Sequence, residues 1–205
     1  MDVKFERITP DHTMMARTII ARAFANDPLI EWLSPSGDYQ ADERLDLIAL
    51  FYAPSVEAYA LARTGHVALV HNTVVGVSLW GNSTIQARAS TATKLLPTGS
   101  GTTKLLLGKK AALLGAGIRT ARGADPLLNS PYLHELTVLD DMRGKGIGTQ
   151  LLSTGLAAFG DHGAWLETAN GRKYSDYERA GFRVTHAGPV GESGVTMTRM
   201  VFDKE

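Results

Sequence analysis

Cysteine is absent from the chain, which excludes disulfides, thiolate metal sites and a cysteine nucleophile, and agrees with a reducing compartment. Also missing is a basic start followed by an apolar run, since Met1-Asp2-Val3-Lys4-Phe5-Glu6-Arg7 has no secretory signal pattern. No apolar run approaches the length of a membrane span. The expectation is a cytoplasmic protein with no membrane partner. Net charge is zero, which gives no reason to expect nucleic acid. That zero hides a local absence of one sign: residues 58 to 124 hold eight basic and no acidic side chains, while residues 1 to 57 hold ten acidic and five basic ones. Such an island is either a solvated face or an attraction for an anionic ligand or surface. His66 and His71 have no further carboxylate or imidazole at ligand spacing, so they read as surface residues and no metal is expected.

What remains is ordinary globular composition over 205 residues, enough for a sizeable core and suited to a single domain spanning 1–205. Val3 to Ile8 reads as a strand. Met15, Ile19, Ile20, Ala23 and Phe24 recur at helical spacing up to Asn26-Asp27-Pro28, where the residue before proline leaves the helical region. Asp27 is either the punctuation of that helix or an acid facing a pocket. Trp32, Ser34-Pro35-Ser36-Gly37 and Tyr39 form a turn-rich link to a second helix, with Leu45, Ile48, Tyr52, Val56 and Tyr59 on one face. His66 to Val70 and Val74 to Trp80 read as a hairpin. From about 83 to 125 the strand pattern is lost, and short helices broken by Gly108, Gly115 and Gly117 are expected, as a mobile insertion or lid over the sheet.

The stretch from Pro131 to Phe182 is the most informative. Tyr132 to Val138 is β-rich, Leu151, Leu152, Leu156 and Phe159 recur at helical spacing, and Arg143-Gly144-Lys145-Gly146-Ile147-Gly148 lies between. Strand, glycine turn and helix start together make a site for phosphate or pyrophosphate, because the first helical turn offers unpaired N–H groups and a positive dipole end. A dinucleotide fingerprint fails, since its third glycine would fall on Thr149. A Walker loop fails at Gly108-Lys109-Lys110, which lacks the following Ser or Thr and has Thr103 where its first glycine belongs.

Further motifs follow in order: Ala164 to Thr168 as a strand, Asn170, and Tyr177-Glu178-Arg179-Ala180-Gly181-Phe182. Together with Leu136-Thr137-Val138 and the glycine turn, they resemble the acetyl-coenzyme A core of the GCN5-related N-acetyltransferases (GNAT) over about residues 131 to 184. The helix end Ala23 to Pro28 and Leu166-Glu167-Thr168 resemble the puromycin-acetyltransferase-like branch. The resemblance implies an α/β fold with a mixed, mostly antiparallel sheet of six or seven strands flanked by helices. It implies transfer of an acetyl group from acetyl-CoA directly to a primary amine of a small molecule. A non-catalytic acyl-CoA-binding sensor and a protein or peptide N-terminal acetyltransferase are the alternatives, and the protein is expected as a monomer or homodimer.

By the same resemblance, Leu136, Thr137 and Val138 line the pantetheine arm with main-chain groups. Arg143, Gly144, Lys145, Gly146, Ile147, Gly148 and Thr149 hold the pyrophosphate, and Asn170 hydrogen-bonds the cofactor. Tyr177 matches the tyrosine that protonates the departing thiolate, although a helix tyrosine also serves as packing. The base stays open among His134, Glu135 and Glu167. In a regular strand Tyr132, His134 and Leu136 share one face and Glu135 the other, so His134 takes the family's glutamate position; a bulge would reverse Glu135. Asp27, Trp32, Tyr52 and Glu167 are the candidates for contacting a cationic, partly apolar acceptor.

Overall fold

The computed structural model describes residues 2–81, 100–122, 130–161 and 163–203. Among the described residues seven strands form one sheet: β1 (Lys4–Arg7), β2 (Gly65–Val70), β3 (Thr73–Gly81), β4 (Tyr132–Val138), β5 (Ala164–Thr168), β6 (Arg183–Pro189) and β7 (Thr196–Phe202), in spatial order β1-β2-β3-β4-β5-β7-β6. All neighbours are antiparallel except β4 and β5, which run parallel. The mixed, mostly antiparallel α/β sheet expected from the sequence is present.

Alternation along the strands separates two cores, as period-two side chains require. Val67, Val77 and Leu79 point to helices α1 (Thr13–Phe24) and α3 (Ala41–Ala62), meeting Ile19, Ile20, Val56 and Tyr59. Ala68 and Val75 point the other way, to Ile147 and Leu151 of helix α5 (Ile147–Phe159). Gly155 of α5 lies directly on Trp80: a Cβ there would sit 2.2 Å from the indole nitrogen, so the helix approaches as closely as it does only because the side chain is missing.

Between α1 and α3, the short helix α2 (Pro28–Leu33) starts where the sequence stops α1. Asp27 is its N-cap, accepting the Leu29 N–H at 2.9 Å, with Pro28 at the first helical position. Trp32 therefore lies in a helix rather than in the turn-rich link. Arg44, buried at the start of α3, donates to Ser34 O (2.6 Å), Ala25 O (2.8 Å) and Glu31 Oε2 (2.8 Å), fixing the corner that carries Asp27.

Several expectations need correction. Met15 is half-exposed; Ala16, Ile19, Ile20 and Ala21 form the buried stripe of α1. α3, with 22 residues and a mean hydropathy of 1.3, does have the length and apolarity of a membrane span; its Val56 and Tyr59 are buried against the sheet and its Ile48 against α2 and α4. His66 is buried, its ring 5.8 Å from that of Phe159, and burial with Arg7 nearby lowers its pKa to about 4. Within the 83–125 segment, residues 100–122 form helix α4 (Ser100–Arg122), kinked only at Gly108; Gly115 and Gly117 are helical. Residues 82–99 and 123–129 lie outside the described residues. α4 packs Leu107, Leu114 and Ala121 against Ile30, Leu33, Leu47 and Val190. Gly117 is its closest approach, where a Cβ would meet Gly191 N at 2.9 Å. The last helix, α6 (Tyr174–Arg179), stops before Gly181 at φ 92°.

Candidate active site

β4 and β5 pair at only two positions, Tyr132 with Trp165 and Leu133 with Leu166. Beyond them the strands part, leaving the β5-facing edge of 134–138 with no strand beside it among the described residues. An extended chain with alternating amide donors and acceptors fits such an edge as an added strand would. Leu136, Thr137 and Val138 line it.

The register against β3 shifts at the point of parting. Leu79 pairs with Glu135 and Trp80 with Leu133, so His134 is the extra residue of a bulge. Leu133 and Leu136 consequently share the α5 face, packed with Leu152. Tyr132, His134 and Glu135 all belong to the opposite face, under α3: the His134 ring lies 5.4 Å from Tyr59 and 5.6 Å from Tyr132, and its Nε2 is 3.9 Å from Glu135 Oε1. The expected alternation of His134 and Glu135 is thus overturned by one inserted residue.

Their electrostatics differ in kind. Burial, with Arg122 nearby, lowers the His134 pKa to about 4, which leaves a neutral imidazole at physiological pH. Burial, followed by the charge of Asp27, holds the Glu135 carboxyl well above the ordinary carboxylate range. Glu135 is 5% exposed, and its carboxylate makes no hydrogen bond among the described residues. Tyr177 of α6 packs with Leu166 and Phe182 on the α5 side of the sheet. Burial first and then Glu135 raise its pKa, so it remains a phenol, and its hydroxyl likewise lacks a hydrogen bond among the described residues. Glu135 and Tyr177 thus come from opposite faces of the sheet, near enough for the carboxylate's charge to act on the phenol.

The glycine turn lies at the far end of β4. Gly144 and Gly146 have φ of 74° and 77°, which only glycine adopts without strain. The Arg143 N–H is bonded to Asp140 O at 3.2 Å, and the next amide with a main-chain acceptor is that of Gln150, bonded to Gly146 O at 3.0 Å. Among the described residues the amides of Gly144, Lys145, Gly146, Ile147, Gly148 and Thr149 have no acceptor, which suits them to an anion at the start of α5. The cationic side chains fold back: Arg143 pairs with Asp140 at 2.7 Å, and Lys145 donates to Asp141 O at 2.9 Å. Asn170 Oδ1 caps the following 3-10 turn through Arg172 N at 3.1 Å, leaving its amide NH2 unengaged among the described residues.

Other candidates separate into two groups. Asp27 and Tyr52 lie with Glu135: both carboxylates act on the Tyr52 hydroxyl, whose pKa burial chiefly raises, and the Tyr52 ring packs on Phe24 at 5.5 Å. Trp32 belongs to the α2–α4 cluster, which also takes in Tyr52, and Lys110 lies over its ring at 5.8 Å. Glu167 is not a free acid either. Arg122 of α4 holds it at 2.6 Å and Arg199 of β7 at 3.2 Å, and both guanidinium groups stack on Trp165. Sequence reasoning missed these arginines and Tyr59; the signal for Glu135 was the consecutive polar pair in an otherwise apolar strand. Among the described residues no group of three or more His, Asp or Glu is arranged to hold a metal.

Residues 72–204 match the family model described as acetyltransferase (GNAT) domain. The chain belongs to the GNAT acetyltransferases. Solved structures agree on the fold. The GNAT chain is 23% identical, with a TM-score of 0.71, to a structure titled histone acetyltransferase HPA2 and related acetyltransferase from Corynebacterium glutamicum, covering 100% of this chain and 98% of that one. A Drosophila melanogaster polyamine N-acetyltransferase, described as forming N-acetylagmatine, is 14% identical with a TM-score of 0.60, covering 99% and 100%. A PaiA N-acetyltransferase from Thermoplasma acidophilum, in complex with coenzyme A, is 12% identical with a TM-score of 0.57, covering 100% of both chains. No curated protein sequence matches.

Proposed function

We propose that this GNAT protein, as a single domain, transfers an acetyl group from acetyl-CoA directly to a primary amine of a small molecule, with Glu135 as general base and Tyr177 as general acid. What supports this is that Glu135, on the strand that parts from β5, lies near enough to Tyr177 for its charge to act on the phenol, and that among the described residues neither side chain is hydrogen-bonded. The donor fits the residues present. The open edge of Leu136 to Val138 would take the pantetheine arm, the free amides of Gly144 to Thr149 the pyrophosphate, and the Asn170 amide a further hydrogen bond. Acetyl-CoA supplies an acyl group on a thiol leaving group. Kinship with the puromycin-acetyltransferase-like branch is supported by the Asp27-Pro28 helix start and by Leu166-Glu167-Thr168.

The acceptor attacks as a neutral amine, an ammonium having first released one proton to solvent, and the remaining proton transfers then balance. Glu135, once ionised, takes a proton from the acceptor amine as its nitrogen bonds to the acetyl carbon; Tyr177 gives its proton to the sulfur as the carbon–sulfur bond breaks. The phenolate left on Tyr177 regains its proton from solvent, to which Glu135 returns the one it took. His134, neutral at physiological pH and with its Nε2 3.9 Å from Glu135 Oε1, is not the base in this reading. Titration calorimetry with acetyl-CoA, alongside thiol release measured with a panel of amines, tests the proposal. Binding with amine-dependent release supports it. Binding without release from any amine makes the protein an acyl-CoA sensor, and release only with peptides makes it an N-terminal acetyltransferase.

A further inference from the structure

Asp27 lies close enough to Glu135 for its charge to disfavour ionisation there, and both act on Tyr52. The packing brings them together: Asp27 N–H is bonded to Phe24 O at 2.8 Å, Phe24 meets Tyr52, and Tyr59, farther along α3, meets His134 beside Glu135. Among the described residues neither carboxylate has a lysine or arginine partner. The nearby guanidinium groups are committed elsewhere, Arg44 to Glu31 and two carbonyls, Arg122 and Arg199 to Glu167. Another polar group is unsatisfied on the same β4 face as Glu135: the buried Thr137 hydroxyl, one pleat beyond, has no hydrogen-bond partner among the described residues.

Helix capping does not require this charge, because Asn or Ser caps a helix as well as Asp does. Placing a second acid beside a buried one raises the cost of ionising either. A cation entering between them removes that cost, and the Tyr52 ring adds a face for it. We propose that the acceptor carries two cationic centres, the reacting amine at Glu135 and a second ammonium or guanidinium group held by Asp27. This rests on the acetyl-transfer reading of the same site.

The test is thiol-release kinetics with linear α,ω-diamines and n-alkylamines of matching length, for wild type and Asp27→Asn. Wild type should favour the diamine by about tenfold or more in kcat/KM, the order expected of one partly desolvated ion pair. In Asp27→Asn, which keeps the cap, the ratio should fall towards unity through the diamine KM, with the melting temperature held. A wild-type ratio near unity, or a variant that slows both amines alike and keeps the ratio, overturns the inference while leaving the transferase reading intact. Release from no amine overturns both.

Discussion

Replacing Glu135 by Gln should move activity and stability in opposite directions. As general base the carboxylate must be ionised, so turnover should rise with pH through its raised pKa and fall away below it. A positioned base contributes about 10²–10⁴ in rate, or about 2.7–5.4 kcal/mol of barrier. Gln keeps the shape and loses the proton acceptor, so kcat should drop by that factor and the acid limb should disappear. Stability follows the other side of the same shift. With a folded pKa above the unfolded one, the folded state holds the proton more tightly. Below the ordinary carboxylate range both states are protonated and the wild type suffers nothing. Between the unfolded and folded pKa values stability falls as pH rises, and above the folded pKa the whole penalty is present.

Each tenfold change in that ionisation constant is worth about 1.4 kcal/mol. At neutral pH Glu135→Gln should therefore stabilise the fold by roughly 0.5–2 kcal/mol, the usual gain from relieving a strained functional group, and this advantage should shrink in acid. Thermal unfolding across pH reads the stability, at about 2–4 °C per kcal/mol for a chain of this size. A thiol reagent reads the turnover without background, because the chain has no cysteine. Turnover within a few-fold of wild type with the acid limb intact would refute the assignment of the base. Melting that falls equally at every pH would refute the burial argument. His134→Gln is the companion: with its imidazole titrating near 4, the acid limb set by Glu135 should persist.

On the proposed assignment of Tyr177, a phenol kept protonated by burial and Glu135, as proton donor, Tyr177→Phe should lower kcat by about 10² or more; unchanged turnover at all pH values would reject it. Glu167→Gln leaves Arg122 and Arg199 without the carboxylate both share, and should cost about 3–5 kcal/mol in urea unfolding. Gly146→Ala puts a side chain at φ 77° with open space around it, so its cost is backbone strain of about 1–2 kcal/mol. Coenzyme A affinity by calorimetry should fall in proportion as the turn opens.

Local pattern made most of the scaffold legible. Periods of two and 3.6 located the strands and α1, α3, α5 and α6 because each buries one face against the sheet, and Asp27-Pro28 and Gly181 punctuated helices through backbone chemistry that needs no partner. What escaped depended on distant residues. Gly115 and Gly117 read as helix breakers, yet α4 runs through both, because tertiary contact overrides propensity and Gly117 is where the helix touches Val190 and Gly191. His66 read as a surface residue because nothing near it in sequence announces Phe159. Glu167 read as a free acid because its arginines stand 45 and 32 residues away.

The bulge at His134 shows how little sequence separates a plausible site from a different one. In a regular β4, His134 and Glu135 would lie on opposite faces, with the histidine towards α3 and the glutamate buried under α5 among Leu152 and Leu156. An uncompensated carboxyl there would cost folding energy and reach no substrate. One extra residue in the register against β3 puts Glu135 on the α3 face, beside His134 and within the influence of Asp27 and Tyr52, while Leu133 and Leu136 keep the α5 face apolar. The same extra residue sits where β4 stops pairing with β5, since a bulge turns the strand as well as the side chain. On the proposed reading, the opening for the donor and the acid for the acceptor arise from one local irregularity, and deleting His134 should remove both together: a variant lacking it should lose coenzyme A binding by calorimetry as well as turnover, whereas His134→Gln should keep the binding.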